Sequence, residues 1–154
     1  MTLTIRDARL DEAAVVWDLS RQLAIFEEME SIFVATVEDF RREMGRPDAV
    51  MNCLLAEVDG EVVASAVYFR TFSTFLCRPG IWLEELFVTP AYRRRGIAQA
   101  LLDELSNRSE GRVEWEVLTW NHDAIALYEA YGASQESGWM KYRISPTDSP
   151  PRAV

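Results

Sequence analysis

Residues 81–105 read I-W-L-E-E-L-F-V, then T-P-A-Y-R-R-R-G, then a segment with Ile97, Ala98, Leu101, Leu102 and Leu105 on one side. This order of apolar strand, basic glycine-containing turn and helix at 3.6-residue spacing limits the possible folds most. A strand that feeds directly into an amphipathic helix must lie in a sheet that the helix covers. The segment 52–69 sets the character of that sheet. N-C-L-L-A-E-V, the dipeptide D-G, and E-V-V-A-S-A-V-Y-F predict a strand, a tight turn and a returning strand, hence an antiparallel hairpin. Val113, Trp115 and Val117 alternate with Glu114 and Glu116 as a further strand. Asn121 then opens a helix with Ile125, Tyr128 and Tyr131 near one face, closed by Gly132.

The rest of the chain fits around this frame. A short strand is expected at 3–5, then a helix capped by Asp11 with Ala13, Val16, Trp17, Leu19 and Leu23 at helical spacing. Thr36, with Glu38 and Asp39 in the first turn, caps a second helix that stops near Gly45 and Pro47. A loop is expected over 70–80 and a last strand over 139–144. Hairpin strands combined with two later strand-helix units imply an α/β architecture, α+β in some schemes: a mixed, mostly antiparallel sheet flanked by helices. A chain of 154 residues suits one domain, 1–145, and the proline-rich end 146–154 reads as a flexible tail.

Charge narrows the partners. The formal charge of −9 disfavours nucleic acid, whose phosphates need a basic face, and suits a cationic or neutral small molecule. The N-terminus is charged too early for a signal peptide, and no apolar run approaches membrane-spanning length, so a cytoplasmic protein without a membrane partner is expected. Cys53 and Cys77 have neither disulfide-framework nor zinc spacing, and His122 is the single histidine, so no metal site is expected.

Two segments carry chemistry. Arg93, Arg94, Arg95, Gly96, Ile97 and Ala98 lie where a helix begins, so backbone N–H groups, the helix dipole and guanidinium charge can hold a pyrophosphate. A basic surface turn is the alternative, and the segment matches neither a Walker A loop nor a three-glycine dinucleotide fingerprint. Glu84 and Glu85 sit inside an apolar strand, where unpartnered carboxylates are expensive. Either basic neighbours such as Arg93 to Arg95 neutralise them, or the site uses their charge. Consecutive strand residues point to opposite faces, so both serve one cleft only if the strand is bulged or splayed.

The motif R-x-x-G-x-A after a strand, followed by W-N-H-D-A-I-A-L-Y-E-A-Y-G-A-S, resembles the GNAT superfamily of acetyl-CoA-dependent N-acetyltransferases. Within it the chain is most similar to the diamine (spermidine/spermine) acetyltransferases and their bacterial relatives, over roughly residues 5–144. The resemblance implies a GNAT fold whose sheet splays at the acetyl-CoA site. It implies that residues 93–98 cradle the CoA pyrophosphate, that Leu86, Phe87 and Val88 align the pantetheine, and that Asn121 touches the pantetheine arm. It gives Tyr128 the role of general acid beside the CoA sulfur, a role that suits a phenol because amine attack on a thioester expels a thiolate. Spacing alone favours a core aromatic on a helix face at Tyr128.

A carboxylate whose proton affinity is raised by partial burial suits the base, and the resemblance places Glu84 at the position linked to deprotonating the substrate and Glu85 at that of a substrate-binding acid. Phe26 and Glu27 fall where the family contacts polyamines. The stretch T-F-S-T-F-L-C-R-P-G at 71–80 departs from the diamine enzymes, which carry an acid and a tryptophan there. The expected activity is acetyl transfer from acetyl-CoA to a small primary amine, diamine or polyamine-like first, by direct attack in a ternary complex within a homodimer. An amino-acid or protein amine is the near alternative, and an idle CoA-binding sensor the alternative of another class.

Overall fold

The computed structural model describes residues 1–146, so the expected tail lies, from residue 147 on, outside the described residues. The chain forms two compact units, Met1–Trp120 and a second that begins at Asn121.

The first unit is built on a five-stranded sheet in the order β1 (Leu3–Asp7), β2 (Asn52–Val58), β3 (Glu61–Ser73), β4 (Arg78–Val88) and β5 (Val113–Trp115). The first four strands are antiparallel, while β5 runs parallel to β4, so the sheet is mixed as its sequence implies. At the β2–β3 turn, Asp59 and Gly60 have φ of 51° and 86°, the double positive φ that a two-residue hairpin turn demands. In β2, Leu54 and Leu55 are both fully buried although they point to opposite faces, so the sheet is covered on both sides.

One face carries α1 (Ala13–Phe26) and α2 (Val37–Met44). There Val16 and Leu19 pack with Cys53, Leu55, Val67 and Phe87, and Phe40 and Met44 close the edge. The other face is covered by α3 (Ile97–Arg108), whose Ile97, Leu101, Leu102 and Leu105 are buried at helical spacing. The start of α2 is a reciprocal cap: Thr36 Oγ1 accepts from the Asp39 N–H at 3.1 Å, and the Asp39 carboxylate accepts from the Thr36 N–H at 2.8 Å.

Four local expectations are corrected. Asp11 does not cap α1. A 3₁₀ turn, Leu10–Glu12, precedes it, because Arg6 holds the Glu12 carboxylate at 2.6 Å while that carboxylate accepts from the Arg9 N–H at 2.8 Å. The expected loop over 70–80 is mostly strand. Thr71, Phe72 and Ser73 pair with Gly80, Pro79 and Arg78, leaving a short turn at 74–77. Gly80 is needed there for close approach, since a Cβ would meet the Arg112 carbonyl oxygen at 2.6 Å. Strand β5 stops at Trp115, before Val117. No strand forms over 139–144; Trp139, Met140, Tyr142 and Ile144 are exposed, and among the described residues no strand edge pairs with the stretch, without which alternation alone cannot hold a strand.

The second unit contains α4 (His122–Tyr131). Asn121 caps it, its side-chain oxygen accepting from the Ala124 N–H at 3.3 Å, and Gly132 ends it at φ 105°.

Candidate active site

The site begins with a count of residues across β3 and β4. Val67 is opposite Glu85, but the next pair is Tyr68 with Leu83, so Glu84 is an extra residue in β4. This is a β-bulge, and it places two consecutive residues opposite one. Tyr68 and Leu83 belong to the α3 face, whereas Val67 and Phe87 pack under α1. Both glutamates therefore emerge on the α1 side. Contacts agree: the indole N–H of Trp82 donates to Glu84 Oε2 at 2.8 Å, and Ser20 of α1 donates to Glu85 Oε2 at 2.5 Å. The condition under which both carboxylates serve one cleft is met by the backbone.

The sheet also splays at this point. Strand β5 pairs with β4 only through Ile81, Trp82 and Leu83, so from Glu84 to Val88 no described strand covers that edge of β4. The backbone of Leu86, Phe87 and Val88 lies along this open edge.

The two glutamates differ in environment. Glu84 is exposed. Glu85 is half-buried, and burial pushes its carboxyl above the usual range; the Ser20 hydrogen bond opposes that shift, while the negative charges of Glu84 and Glu27 add to it. Glu27, at the end of α1, is likewise raised by burial. The partial burial on which the case for Glu84 as base rests is thus found at Glu85. Cys53 is buried beneath the same cluster, its thiol pushed up to about 12 by burial first and by Glu85 next, which leaves it protonated and inert.

The arginines do not neutralise these acids. Among the described residues, none of Glu27, Glu84 and Glu85 joins an ion pair. Arg93 Nε donates to the Val88 carbonyl at 3.0 Å, with its guanidinium 5.0 Å from the Phe26 ring centre and 5.7 Å from that of Phe87. Arg95 stacks on Tyr92 at 5.1 Å. Phe26 in turn packs on Trp120, ring centres 5.8 Å apart. The first unit therefore brings Phe26, Glu27, Glu84, Glu85, Phe87 and Arg93 together, and adds Ser20, Trp82 and Trp120. Sequence reasoning missed these three. Ser20 left a signal, as a hydroxyl at helical spacing from buried Val16 and Ala24.

The turn before α3 is shaped for an anion. Arg94 and Gly96 have φ of 60° and 79°, and the first helical bond donated beyond the turn is from the Ala100 N–H to the Gly96 carbonyl at 3.0 Å. The N–H groups of Ile97, Ala98 and Gln99 therefore face outward at the positive end of a helix. A Cβ at Gly96 would meet nothing within 4 Å, so the glycine serves conformation and leaves the cradle open. Asn121 and Tyr128 belong to the second unit, where Asn121 is the α4 cap and Tyr128 lies one turn beyond Ala124.

Residues 15–133 match the model of the acetyltransferase (GNAT) family, a span that runs across the junction of the two units. The chain belongs to the GNAT acetyltransferase family. As a GNAT enzyme it transfers acetyl groups from acetyl-CoA to amines. It is 30% identical over 141 residues to a thialysine N-epsilon-acetyltransferase of Caenorhabditis elegans, covering 87% of this chain and 86% of that one. It is 28% identical to the human spermidine/spermine N(1)-acetyltransferase-like protein 1, over 92% of this chain and 22% of that one. A solved Clostridium acetobutylicum structure, described as a predicted acetyltransferase with acetyl-CoA, superposes with a TM-score of 0.74 at 16% identity, covering 92% of this chain and 96% of the other.

The residues of this GNAT chain fit its cosubstrate. An outward-facing N–H cradle beside Arg94 and Arg95 suits a pyrophosphate, and a strand edge without a described strand partner suits the amide groups of pantetheine. When bound, acetyl-CoA supplies the activated thioester. Among the described residues no cluster of metal-binding side chains occurs.

Proposed function

We propose that this GNAT enzyme acetylates the terminal primary amine of a short aliphatic chain, with Glu27, Glu84 and Glu85 receiving the ammonium group. One observation carries the reading: three carboxylates meet on one side of a bulged strand without a paired cation among the described residues. Such a cluster attracts an alkylammonium ion, and Phe26 and Trp120 offer an apolar wall for its methylene chain. Glu85, whose proton affinity is raised, takes the ammonium proton directly or through one water, leaving a neutral amine as nucleophile. Glu84 adds charge that holds the cation. The neutral amine attacks the thioester carbonyl, forming the amide C–N bond as the C–S bond breaks, and the proton that nitrogen sheds in this step passes to water. The Tyr128 hydroxyl protonates the departing thiolate and is itself reprotonated from solvent, and residues 93–98, Leu86, Phe87, Val88 and Asn121 hold the CoA.

Lysine-like amino acids and diamines both present this cation. The relative named for thialysine, together with the absence over 71–80 of the acid and tryptophan of the diamine enzymes, favours the amino acid; the human spermidine/spermine-like relative keeps diamines as the second reading. The same proposal includes a cytoplasmic homodimer.

Acetyl-CoA-dependent thiol release tests it, run with lysine, thialysine, ornithine, short diamines, spermidine and a peptide amine against a no-amine control. Turnover of the lysine-like or diamine group supports the acidic-site reading. Release with the peptide amine alone, or with none, overturns it.

A further inference from the structure

We propose that Ser20 is a positioning residue of this acceptor site: its buried hydroxyl, bonded to Glu85 Oε2, fixes the orientation of that carboxylate and leaves Oε1 for the amine. The inference rests on the acceptor reading above and adds a residue that lies on α1, away from both motifs.

Ser20 is 2% exposed, on the stripe of α1 that otherwise buries Ala13, Val16 and Ala24. A hydroxyl there has no intrinsic advantage for packing or for the helix, in which alanine is the better residue. Its partner accounts for it. The bond to Glu85 Oε2, at 2.5 Å, crosses from helix to bulged strand. Glu85 Oε1 accepts no hydrogen bond among the described residues. A carboxylate anchored by one oxygen has lost its rotational freedom, so the other oxygen is presented in a single direction.

The groups around Glu85 leave this bond as its main stabiliser. Glu27 at the end of α1 and Glu84 on β4 are both negative. Cys53 on β2 is a buried neutral thiol, and Val67 on β3 is apolar. Arg93, the first arginine of the turn, packs on Phe26 and Phe87 and is bonded to the Val88 carbonyl. Burial and like charge thus favour the protonated form of Glu85, and the Ser20 hydroxyl alone opposes them among the hydrogen-bonding partners.

Ser20→Ala in the full chain removes the bond while favouring the helix, so folding is retained. The ¹³C carboxyl resonance of Glu85, assigned with Glu85→Gln, is titrated in parent and variant without ligand. Its midpoint rises by about one pH unit in Ser20→Ala, since a hydrogen bond to the charged form is lost. The acid limb of kcat/KM for the amine moves upward by the same amount, the KM for acetyl-CoA is unchanged, and in a Glu85→Gln background Ser20→Ala has no further effect. A midpoint and limb that stay in place in an active enzyme overturn the role of Ser20 alone. A parent that acetylates no amine overturns the acceptor reading, and with it any bearing of Ser20 on catalysis, whatever the titration gives.

Discussion

Replacing Glu12 by Gln tests how α1 is held where it presents Ser20, Phe26 and Glu27 to the site. Arg6 on β1 lies between two carboxylates, at 2.6 Å from Glu12 Oε1 and 2.6 Å from Glu57 Oε1. The Glu12 side chain is only 10% exposed, and Arg6 holds its carboxyl well below the ordinary value of 4.5, at about 2. Unfolding therefore takes up a proton between these values, so stability rises with pH there and the contribution is lost as pH falls from about 4.5 to about 2. A shift of this size corresponds to about 3 kcal/mol by linkage; since Arg6 is 24% exposed and Gln retains part of the bonding, about 1–3 kcal/mol is the expected loss near neutral pH. Urea unfolding reads it as a midpoint lower by about 1 M, for a slope of about 2 kcal/mol per molar. Repeated toward pH 3, the parent should approach the variant, which lacks this titration. Equal midpoints at neutral pH, or a gap that persists undiminished in acid, would refute the linkage argument.

Three further outcomes follow from the site. Gly96→Ala forces an L side chain to φ 79°, and because a Cβ meets nothing there the penalty is conformational, about 1 kcal/mol; a Tm a few degrees lower and weaker CoA binding by calorimetry are expected. Tyr128→Phe lowers kcat about 10²-fold, the scale of general acid catalysis, with CoA affinity unchanged in the same calorimetric titration. Glu85→Gln lowers kcat/KM for the amine by about 10²-fold and abolishes the acid limb of its pH profile, whereas Glu84→Gln mainly raises the amine KM; steady-state kinetics across pH separates the two.

The frame of the fold was legible because each of its signals is local. Asp59 and Gly60 need only their own φ angles to make a hairpin, Thr36 and Asp39 cap each other within one turn, and the spacing of Ile97, Leu101, Leu102 and Leu105 is a property of one helix. The misses were long-range. Whether Thr71, Phe72 and Ser73 form a loop or a strand depends on residues 78–80 lying opposite, and Gly80 reads as a loop residue until Arg112 is seen to pass within reach of it. Residues 139–144 alternate as a strand would, yet strand formation requires an edge, which no sequence window contains. In the site, the order of arginine, glycine and alanine before a helix marked that turn as a candidate anion cradle, with a basic surface turn as the alternative. The partners of the glutamates did not show, because Ser20 is 65 residues away from Glu85 in the chain.

The bulge explains why two adjacent glutamates can occupy a strand that is otherwise core. In regular alternation one of them would face α3, among Leu101, Leu102 and Leu105, where an unpaired carboxylate costs several kcal/mol. The extra residue turns Glu84 away from that face, and Leu83 takes the buried place at 3% exposure. The same residue is the first in β4 beyond the pairing with β5. A bulge twists and bends its strand, which a partner on the outer edge would resist, so bulge and splay favour each other. One inserted position thus does two things: it gathers the carboxylates on the side of α1, and it marks where β4 loses its strand partner on the outer edge. In the proposed reading, an amine held by the first feature and a thioester laid along the second would meet at the end of one strand, the geometry that direct transfer requires.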